Sequence, residues 1–497
     1  MQHIMIAVCI VVIALTLVAI DMKEDIIKRT SLISLGVLLL CIGATIAASN
    51  PIIGFLVNIA VIFAIVYQSL DSYKAPMYFP FVLSYIFMLM SSPITYDQLP
   101  MRLIGLAIGC VYILFAQLVL NKGRFEKTIS GTRKGILFTL KTQINNILDG
   151  KYDKALNSQI DQLVNTVIKA VYDSRANKKY ITNGNNGILE ITLSLEKLNN
   201  LLMKFDKSTY LDEKYQIALT KLADTLDLVG QYFDDDTTQK NEIIEKINSY
   251  INFFNENKDD EINKEVLIIL ENISHNLHLT EVKIDNDKWK KFEFIKNSVK
   301  KLDTNSFEFK FALKLSISVS IVILISYIFN LKYGRWIVFP MIAIIQPYYD
   351  NTITKAKNRI YGTIIGTILF VILFSIVKDP VARVNLTIFG AYIGTFVKKY
   401  QYSTAIVAIS ALGSSAAYGV EILGYRIAFT IIGCAIAMFI NKYVLHYRLS
   451  DAKIDLNKDY KSIDSKLKSL NKGMKSDTEK YNLILKQKLI EYKIKYQ

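Results

Sequence analysis

Residues 336–366 read WIVFPMIAIIQPYYDNTITKAKNRIYGTIIG. The stretch opens as an apolar run and breaks at Gln346-Pro347. It then crosses a polar loop carrying Asp350, Lys355, Lys357 and Arg359, and re-enters apolar sequence through Gly362, Thr363 and Gly366. A proline inside a helix removes a donor and clashes with the preceding turn, so an apolar helix stops or kinks there. Two membrane spans joined by a polar turn at the cytoplasmic face fit that pattern, and the rest of the chain can be placed around them.

The composition supports a membrane setting. The chain has 497 residues, 52% of them hydrophobic, with a mean hydropathy of +0.27. Several runs exceed the ~17 apolar residues needed to cross the hydrocarbon core. The formal net charge is +15. In a soluble chain that would point to nucleic acid. Here the basic excess flanks apolar runs and fills the tail after residue 445. Positive residues in those places mark the inner face and hold anionic lipid, so no nucleic-acid partner is required. Cys9, Cys41, Cys110 and Cys434 each lie in an apolar run and form no CxxC pair. They read as small packing residues, not as a disulfide or zinc framework.

Taken in order, residues 1–120 form a first transmembrane block with apolar runs at Ile4–Ile20, Ser31–Ala48, Ile52–Leu70, Tyr78–Met90 and Leu103–Leu120. Lys23, Lys28, Arg29 and Lys74 place the first and third connections inside, which puts the N-terminus outside. Residues 121–306 lack a run long enough to span and show helical stripes. One is Ile136, Leu137, Leu140, Ile144, Ile147 and Leu148; another is Ile160, Leu163, Val164, Val167, Ile168 and Val171. Such spacing predicts a cytoplasmic helical domain, with a loop at ITNGNNG, residues 181–187. A second transmembrane block, 307–446, carries runs at Phe311–Phe329, Trp336–Gln346, Ile360–Val377, Val381–Val397, Ser403–Tyr418 and Ile427–Val444. Residues 447–497 are a lysine-rich helical tail. The predicted fold class is therefore all-α. It is a polytopic membrane protein with two transmembrane helical blocks of five and six spans, an intervening cytoplasmic helical domain and a helical C-terminal tail.

The last span of each block repeats a pattern. Arg102-LIGLAI-Gly109-Cys110 corresponds to Arg426-IAFTII-Gly433-Cys434. Loop order and charge placement agree going backwards, so the first block looks like the second with its opening span missing. Both are traversed in the same sense, which makes this a parallel repeat, an arrangement common in transporters.

The 336–366 stretch resembles the fusaric acid resistance and aromatic acid exporter superfamily of integral membrane transporters. That family has a Trp-led second span, a Q-P pair, a Thr and an Arg at set distances beyond it, and R-x-x-G-T-x-x-G opening the third span. Here Trp336, Gln346, Pro347, Thr352, Arg359, Gly362, Thr363 and Gly366 stand in that order and spacing. The resemblance implies an inner-membrane efflux protein for aromatic or other organic anions. Plant malate channels look like distant relatives, which keeps a passive anion channel open.

The candidate substrate path is Trp336, Gln346, Pro347, Asp350, Thr352, Lys355, Arg359 and Thr363. Pro347 either ends a helix at the interface or breaks one that lines the path. Lys355 and Arg359 set topology, and at an inner mouth they would also attract anions. Gly362 and Gly366, with Gly109 and Gly433, are read as helix-packing positions, since small residues four apart let helices approach closely. Arg102 and Arg426 are read as basic residues at the outer mouth, guiding exit or anchoring at headgroups. Asp350 and Asp21 are proton-acceptor candidates at inner loops, and no Asp, Glu or His falls mid-span. His275 and His278 lack a third ligand nearby, so no metal is expected. Asp234-Asp235-Asp236 reads as a solvated turn. No phosphate-binding glycine loop or nucleophile–base set is present, so neither ATP hydrolysis nor another enzymatic activity is expected, and no cofactor. The partners expected are membrane lipid, a small organic anion and a second copy of the chain. The rival reading is a non-transporting scaffold that works through its cytoplasmic helices.

Overall fold

The computed structural model describes residues 26–70, 77–120, 123–174, 183–207, 212–234, 240–258, 260–277, 302–394, 396–397, 399–413, 421–470 and 477–496. The expected Ile4–Ile20 span, with Cys9 and Asp21, lies outside them. So do Lys74, Asp235, Asp236 and residues 278–301 of the expected cytoplasmic helical domain, His278 among them. Every element among the described residues is helical. The chain divides into two compact units. One holds residues 27–117 and 299–456, and the other holds 118–298 and 457–497.

The first unit contains α1 (Ile26–Ser49), α2 (Pro51–Ser69), α3 (Phe79–Ile86, continued by a π-helical turn Phe87–Ser91) and most of α4 (Leu99–Leu120). It continues with α11 (Phe307–Ile328), α12 (Arg335–Ile344), α13 (Thr352–Ile376), α14 (Pro380–Gly394), α15 (Tyr400–Gly413) and α16 (Glu421–Tyr443). Capping sets the helix starts. Asn50 Oδ1 accepts from the backbone N–H groups of Ile52 and Ile53 at 2.8 and 3.2 Å, and Pro51 opens α2. Ser306 Oγ accepts from Phe309 N at 3.2 Å and opens α11.

Six helical stretches among the described residues are long and apolar enough to cross a membrane: Arg29–Ser49, Pro51–Ser69, one within Tyr96–Leu148, Phe307–Ile328, Thr352–Ile376 and Glu421–Tyr443. Three apolar helices are shorter: Phe79–Ser91, Arg335–Ile344 and Val381–Gly394. This is a multi-pass membrane protein, though the division into five and six spans is finer than these lengths support. Apolar side chains such as Met101, Ile104, Ile108, Ile368, Ile372 and Phe389 stand exposed on the helices. In water they would form large apolar patches; against lipid they are in their own solvent.

Helix pairs in this unit approach through glycine. A Cβ on Gly362 would lie 2.5 Å from Gln401 O and 2.8 Å from Thr404 Cβ; one on Gly366 would lie 2.4 Å from Ala405 O. These bring α13 onto α15. A Cβ on Gly433 would lie 2.3 Å from Ile337 O, which brings α16 onto α12. Gly109 is buried on α4.

The second unit is built from α5 (Arg124–Leu148), α6 (Lys154–Ser174), α7 (Asn183–Leu202), α8 (Glu213–Asp234), α9 (Lys240–Glu256) and α10 (Glu261–Leu277), with the C-terminal α18 (Asp477–Tyr496). Between them in chain order, α17 (Leu449–Leu470) begins in the first unit and ends in the second. The stripes of α5 and α6 form the core: Ile136, Leu140, Ile144, Ile160, Val164 and Ile168 are almost wholly buried. The loop expected at 181–187 is helical from Asn183 onward. Asn185 is buried and donates from Nδ2 to Ser174 Oγ at 2.9 Å, so tertiary contact overrides the turn propensity of Asn and Gly.

Helix α18 packs on α6 and is tied down by charge. Lys488 Nζ lies 2.9 Å from Glu196 Oε2, Tyr492 OH donates to Glu196 Oε1 at 2.9 Å, and Lys495 Nζ meets Asp161 Oδ2 at 2.5 Å. Burial, then the Glu196 carboxylate, pushes the Tyr492 hydroxyl above its usual range. For Lys488 burial acts downward, but Glu196 and Glu491 outweigh it and raise it.

Two predictions follow from this packing. Both raised groups favour α18 docking below their unfolded values near pH 10. That contribution is lost as pH rises through the folded values. A spin-label distance between α18 and α6 should hold from neutral pH to about pH 9 and lengthen above about pH 10. In Tyr492→Phe the alkaline loosening should weaken. Separately, Gly433→Ala should lower the Tm of the detergent-solubilised protein, by overpacking worth about 1–3 kcal/mol. Gly424→Ala on the same helix, where a Cβ meets nothing within 4 Å, should not lower it.

Candidate functional site

The break at Gln346-Pro347 positions the site. Helix α12 spans ten residues, and every one from Trp336 to Ile344 is buried. At about 1.5 Å per residue it rises about 15 Å, half the ~30 Å hydrocarbon thickness. It stops at Ile344, just before Gln346, the position that Pro347 biases away from helical backbone. A helix ending inside an apolar bundle leaves carbonyls that need partners. Asn441 Nδ2 on α16 donates to Ile344 O at 3.3 Å and to Thr352 Oγ1 at 2.9 Å. Tyr78 OH donates to Ile345 O at 3.4 Å. One amide on α16 thus joins the end of α12 to the start of α13.

The loop that follows is fastened to the segment after α16. Tyr349 N donates to Tyr447 O at 3.1 Å. The Tyr447 ring stacks on Phe307 at 4.4 Å and lies 6.1 Å from Tyr348. Asp350 is exposed, and its Oδ2 accepts from Leu449 N at 2.7 Å. The carboxylate expected as a proton acceptor therefore caps the first turn of α17.

Beyond the loop, Thr352 is fully buried, Pro347 is buried and Gln346 is half-buried. Lys355 and Arg359 sit on one stripe of α13 with Gly362. Lys355 Nζ lies 5.3 Å from the Tyr400 ring centre, and Gly362 abuts Thr404. Thr363 Oγ1 donates back to Arg359 O at 2.8 Å. Arg359 is half-buried, with Nε buried and unpaired.

The two arginines read as outer-mouth residues are inside the unit. Arg426 is 3% exposed, and its guanidinium carbon lies 4.0 Å from the Trp336 ring centre. Arg102 is 7% exposed and donates from Nη1 to Ser92 O at 2.5 Å, at the end of the π-helical turn. Headgroup anchoring does not describe either, because a solvated anchor would leave its guanidinium exposed. The repeated R…GC pattern instead buries Arg, Gly and Cys together on both α4 and α16.

The structure also adds residues that the sequence reading passed over. Lys314 on α11 is 4% exposed. Its signal was an ammonium inside the Phe311–Phe329 span, where a charge is costly and marks function. Asn441, Tyr78, Tyr400 and Thr404 carried no local signal, since ordinary polar residues near span ends are common. The buried charged residues of this unit are Arg102, Lys314 and Arg426; no Asp or Glu among its described residues is buried.

A buried basic interior around a broken helix is the setting in which the comparisons fall. Residues 321–440 match the fusaric acid resistance protein-like family. This segment runs from the last two turns of α11 through nearly all of α16, so it contains Trp336, the Gln346-Pro347 break, Arg359, both packing glycines of α13, and Arg426. One curated relative also matches part of the chain. An uncharacterized protein of Synechocystis sp. is 26% identical over 121 residues, which are 23% of this chain and 16% of that one. The match therefore spans about a sixth of the relative's length. No solved structure matches. The family and the apolar helices together support a membrane transporter.

The bridging amide yields a prediction. Asn441→Leu leaves Ile344 O and the Thr352 hydroxyl without their partner, which should cost about 1–3 kcal/mol. Thermal unfolding in detergent should show the loss, and Asn441→Gln should recover part of it if the longer amide reaches the same atoms.

Proposed function

We propose that the protein exports organic anions, aromatic acids among them, across the cell membrane, with the 118–298 helices and the C-terminus on the cytoplasmic side. The observation that carries this reading is the sign of the interior. The unit bearing the fusaric acid resistance segment buries Arg102, Lys314 and Arg426 and buries no carboxylate among its described residues. Charges within a low-dielectric bundle are expensive and are kept where they serve a path or a ligand. An interior that is only positive attracts anions and repels cations by the same field. The half-buried Lys355 and Arg359, next to the polar loop, extend that field toward the end of α13 from which the substrate would enter.

Efflux needs an energy source. Without a buried carboxylate in the described part of this unit, a proton relay through Asp or Glu in these helices is not supported. Transport driven by the anion gradient and membrane potential fits the charge pattern better. The two mechanisms separate in proteoliposomes. Purified full-length protein should release a preloaded radiolabelled aromatic acid faster than protein-free vesicles do. Collapsing the proton gradient should leave that release intact, while reversing the membrane potential should change its rate. Lys314→Met should reduce release by about tenfold or more, the effect of losing roughly 1.4 kcal/mol of anion stabilisation. Release equal to that of empty vesicles, for a panel of acids and with the protein folded, would overturn the reading in favour of a scaffold.

A further inference from the structure

Residues 444–448 turn the chain from α16 into α17, and a histidine braces the turn. Arg448 Nε donates to His446 Nε2 at 2.9 Å, and His446 Nδ1 lies 3.3 Å from Asn441 O in the last turn of α16. An arginine N–H can only donate. Nε2 must therefore accept, so the ring proton sits on Nδ1 and goes to Asn441 O. The two contacts together define a neutral imidazole in a single tautomer.

Between the two bonded residues stands Tyr447, which carries much of what fastens the start of α17. Its carbonyl accepts from Tyr349 N at 3.1 Å, its ring stacks on Phe307 at 4.4 Å, and its hydroxyl donates to Asp455 Oδ2 at 2.9 Å. The first turn of α17 adds two bonds, Arg448 N to Asp451 Oδ2 at 2.9 Å and Leu449 N to Asp350 Oδ2 at 2.7 Å. The Tyr349 ring packs 4.8 Å from the imidazole. Just before it, Leu445 holds a φ of 45°, a left-handed conformation that is strained for leucine. The bond from Arg448 to His446 closes over Tyr447 and helps to hold this strained turn.

Acid reverses the logic of that bond. Imidazole is the side chain that gains a proton between roughly pH 8 and pH 5. A proton on Nε2 makes both partners donors and sets an imidazolium against a guanidinium. The other contact responds in the opposite sense, since a charged ring bonds more strongly to Asn441 O at the carboxyl end of α16. The ring would stay and Arg448 would leave. The charged and titratable groups around the ring are Lys442 on α16, Tyr349 and Asp350 on the α12–α13 loop, Glu308 in the first turn of α11, Tyr447 and Arg448 on the linker, and Asp451 and Asp455 on α17. Neither ring nitrogen bonds to a carboxylate among the described residues. We infer that His446 is a pH-sensitive clasp. Neutral, it ties Arg448 to Asn441 and fastens α17 to the α12–α13 loop; protonated, it releases Arg448 and loosens that fastening. The fastening is present above the titration of the ring and is lost as pH falls through it. The clasp ends on Asn441, the residue that secures the helix break through Ile344 O and Thr352 Oγ1. It is a property of the protein alone and stands apart from the anion-export reading.

The test is a spin-label distance between Thr354→Cys on α13 and Ile454→Cys on α17, both exposed positions, in full-length protein whose four native cysteines are replaced by alanine. The distribution should be narrow at about pH 7.5. At about pH 5.5 a longer component should grow about threefold or more, as one lost hydrogen bond allows, and it should shrink again on return. His446→Gln, which can donate and accept but does not titrate, should stay narrow at both. Arg448→Gln, whose amide can turn either atom to Nε2, should flatten the pH dependence. His446→Lys, a cation throughout, should show the longer component already at about pH 7.5. A wild-type distribution that acid leaves unchanged would overturn the clasp. So would acid loosening that persists in His446→Gln but vanishes in Asp350→Asn, since the titrating group would then be the carboxylate. If the cysteine-free protein does not fold, hydrogen exchange over residues 347–351 and 446–452 of the unsubstituted chain, corrected for intrinsic rates, reads the same opening and is judged by the same variants.

Discussion

The turn from α12 into α13 depends on one amide. Helix α12 ends in the middle of apolar sequence because Pro347 will not let it continue, and the carbonyls it frees have no water to turn to. Asn441 answers Ile344 O and Thr352 Oγ1 together, and Tyr78 answers Ile345 O. With those groups satisfied, the chain can turn inside the bundle and begin α13 at once. Without them the break would be an unpaired polar hole in hydrocarbon. The same helix that carries Asn441 presents Gly433 to the Ile337 carbonyl, so α16 serves α12 both as hydrogen-bond donor and as its closest packing surface.

That close packing explains how the charges can be where they are. Glycines at 362, 366 and 433 bring backbones to within contact and leave little room for solvent. Arg426 is then carried inward on α16 and comes to rest on Trp336, whose ring face offsets part of its charge. A cation–π contact replaces only a fraction of what water supplied. The buried cations Arg102, Lys314 and Arg426 therefore carry a desolvation cost that this contact does not remove. In the second unit the opposite holds, since Glu196 and Asp161 are buried but met by Lys488, Tyr492 and Lys495.

Much of this architecture was legible beforehand, for reasons that are local. Apolar runs, a proline after a glutamine and glycines four apart are patterns a single helix imposes on its own sequence. The stripes of α5 and α6 could be read directly, because burial recurs at the helical period. Reading failed where a partner element decides. The Asn-rich stretch from Asn183 looks like a loop until Ser174 meets Asn185 across the helix pair. The bond from Leu449 N to Asp350, too, joins residues 99 apart and leaves no local trace. Arg102 and Arg426 look like headgroup anchors because they stand near span ends, and nothing in a linear chain tells which way such a side chain turns.

The sequence by itself determined that the chain is helical, that it crosses a membrane several times, and that one block carries the broken-helix signature with its spaced glycines. Hydrophobicity and backbone chemistry act residue by residue, so composition and order are enough to state them. Only the tertiary structure decided which polar groups are answered and which are not. Asn441 finds two partners and Arg426 finds a ring but no acceptor, because the packing of α12, α13, α15 and α16 sets each side chain's neighbours. A buried positive charge becomes informative in that second, three-dimensional distribution, where no Asp or Glu among the described residues of the unit is buried with it.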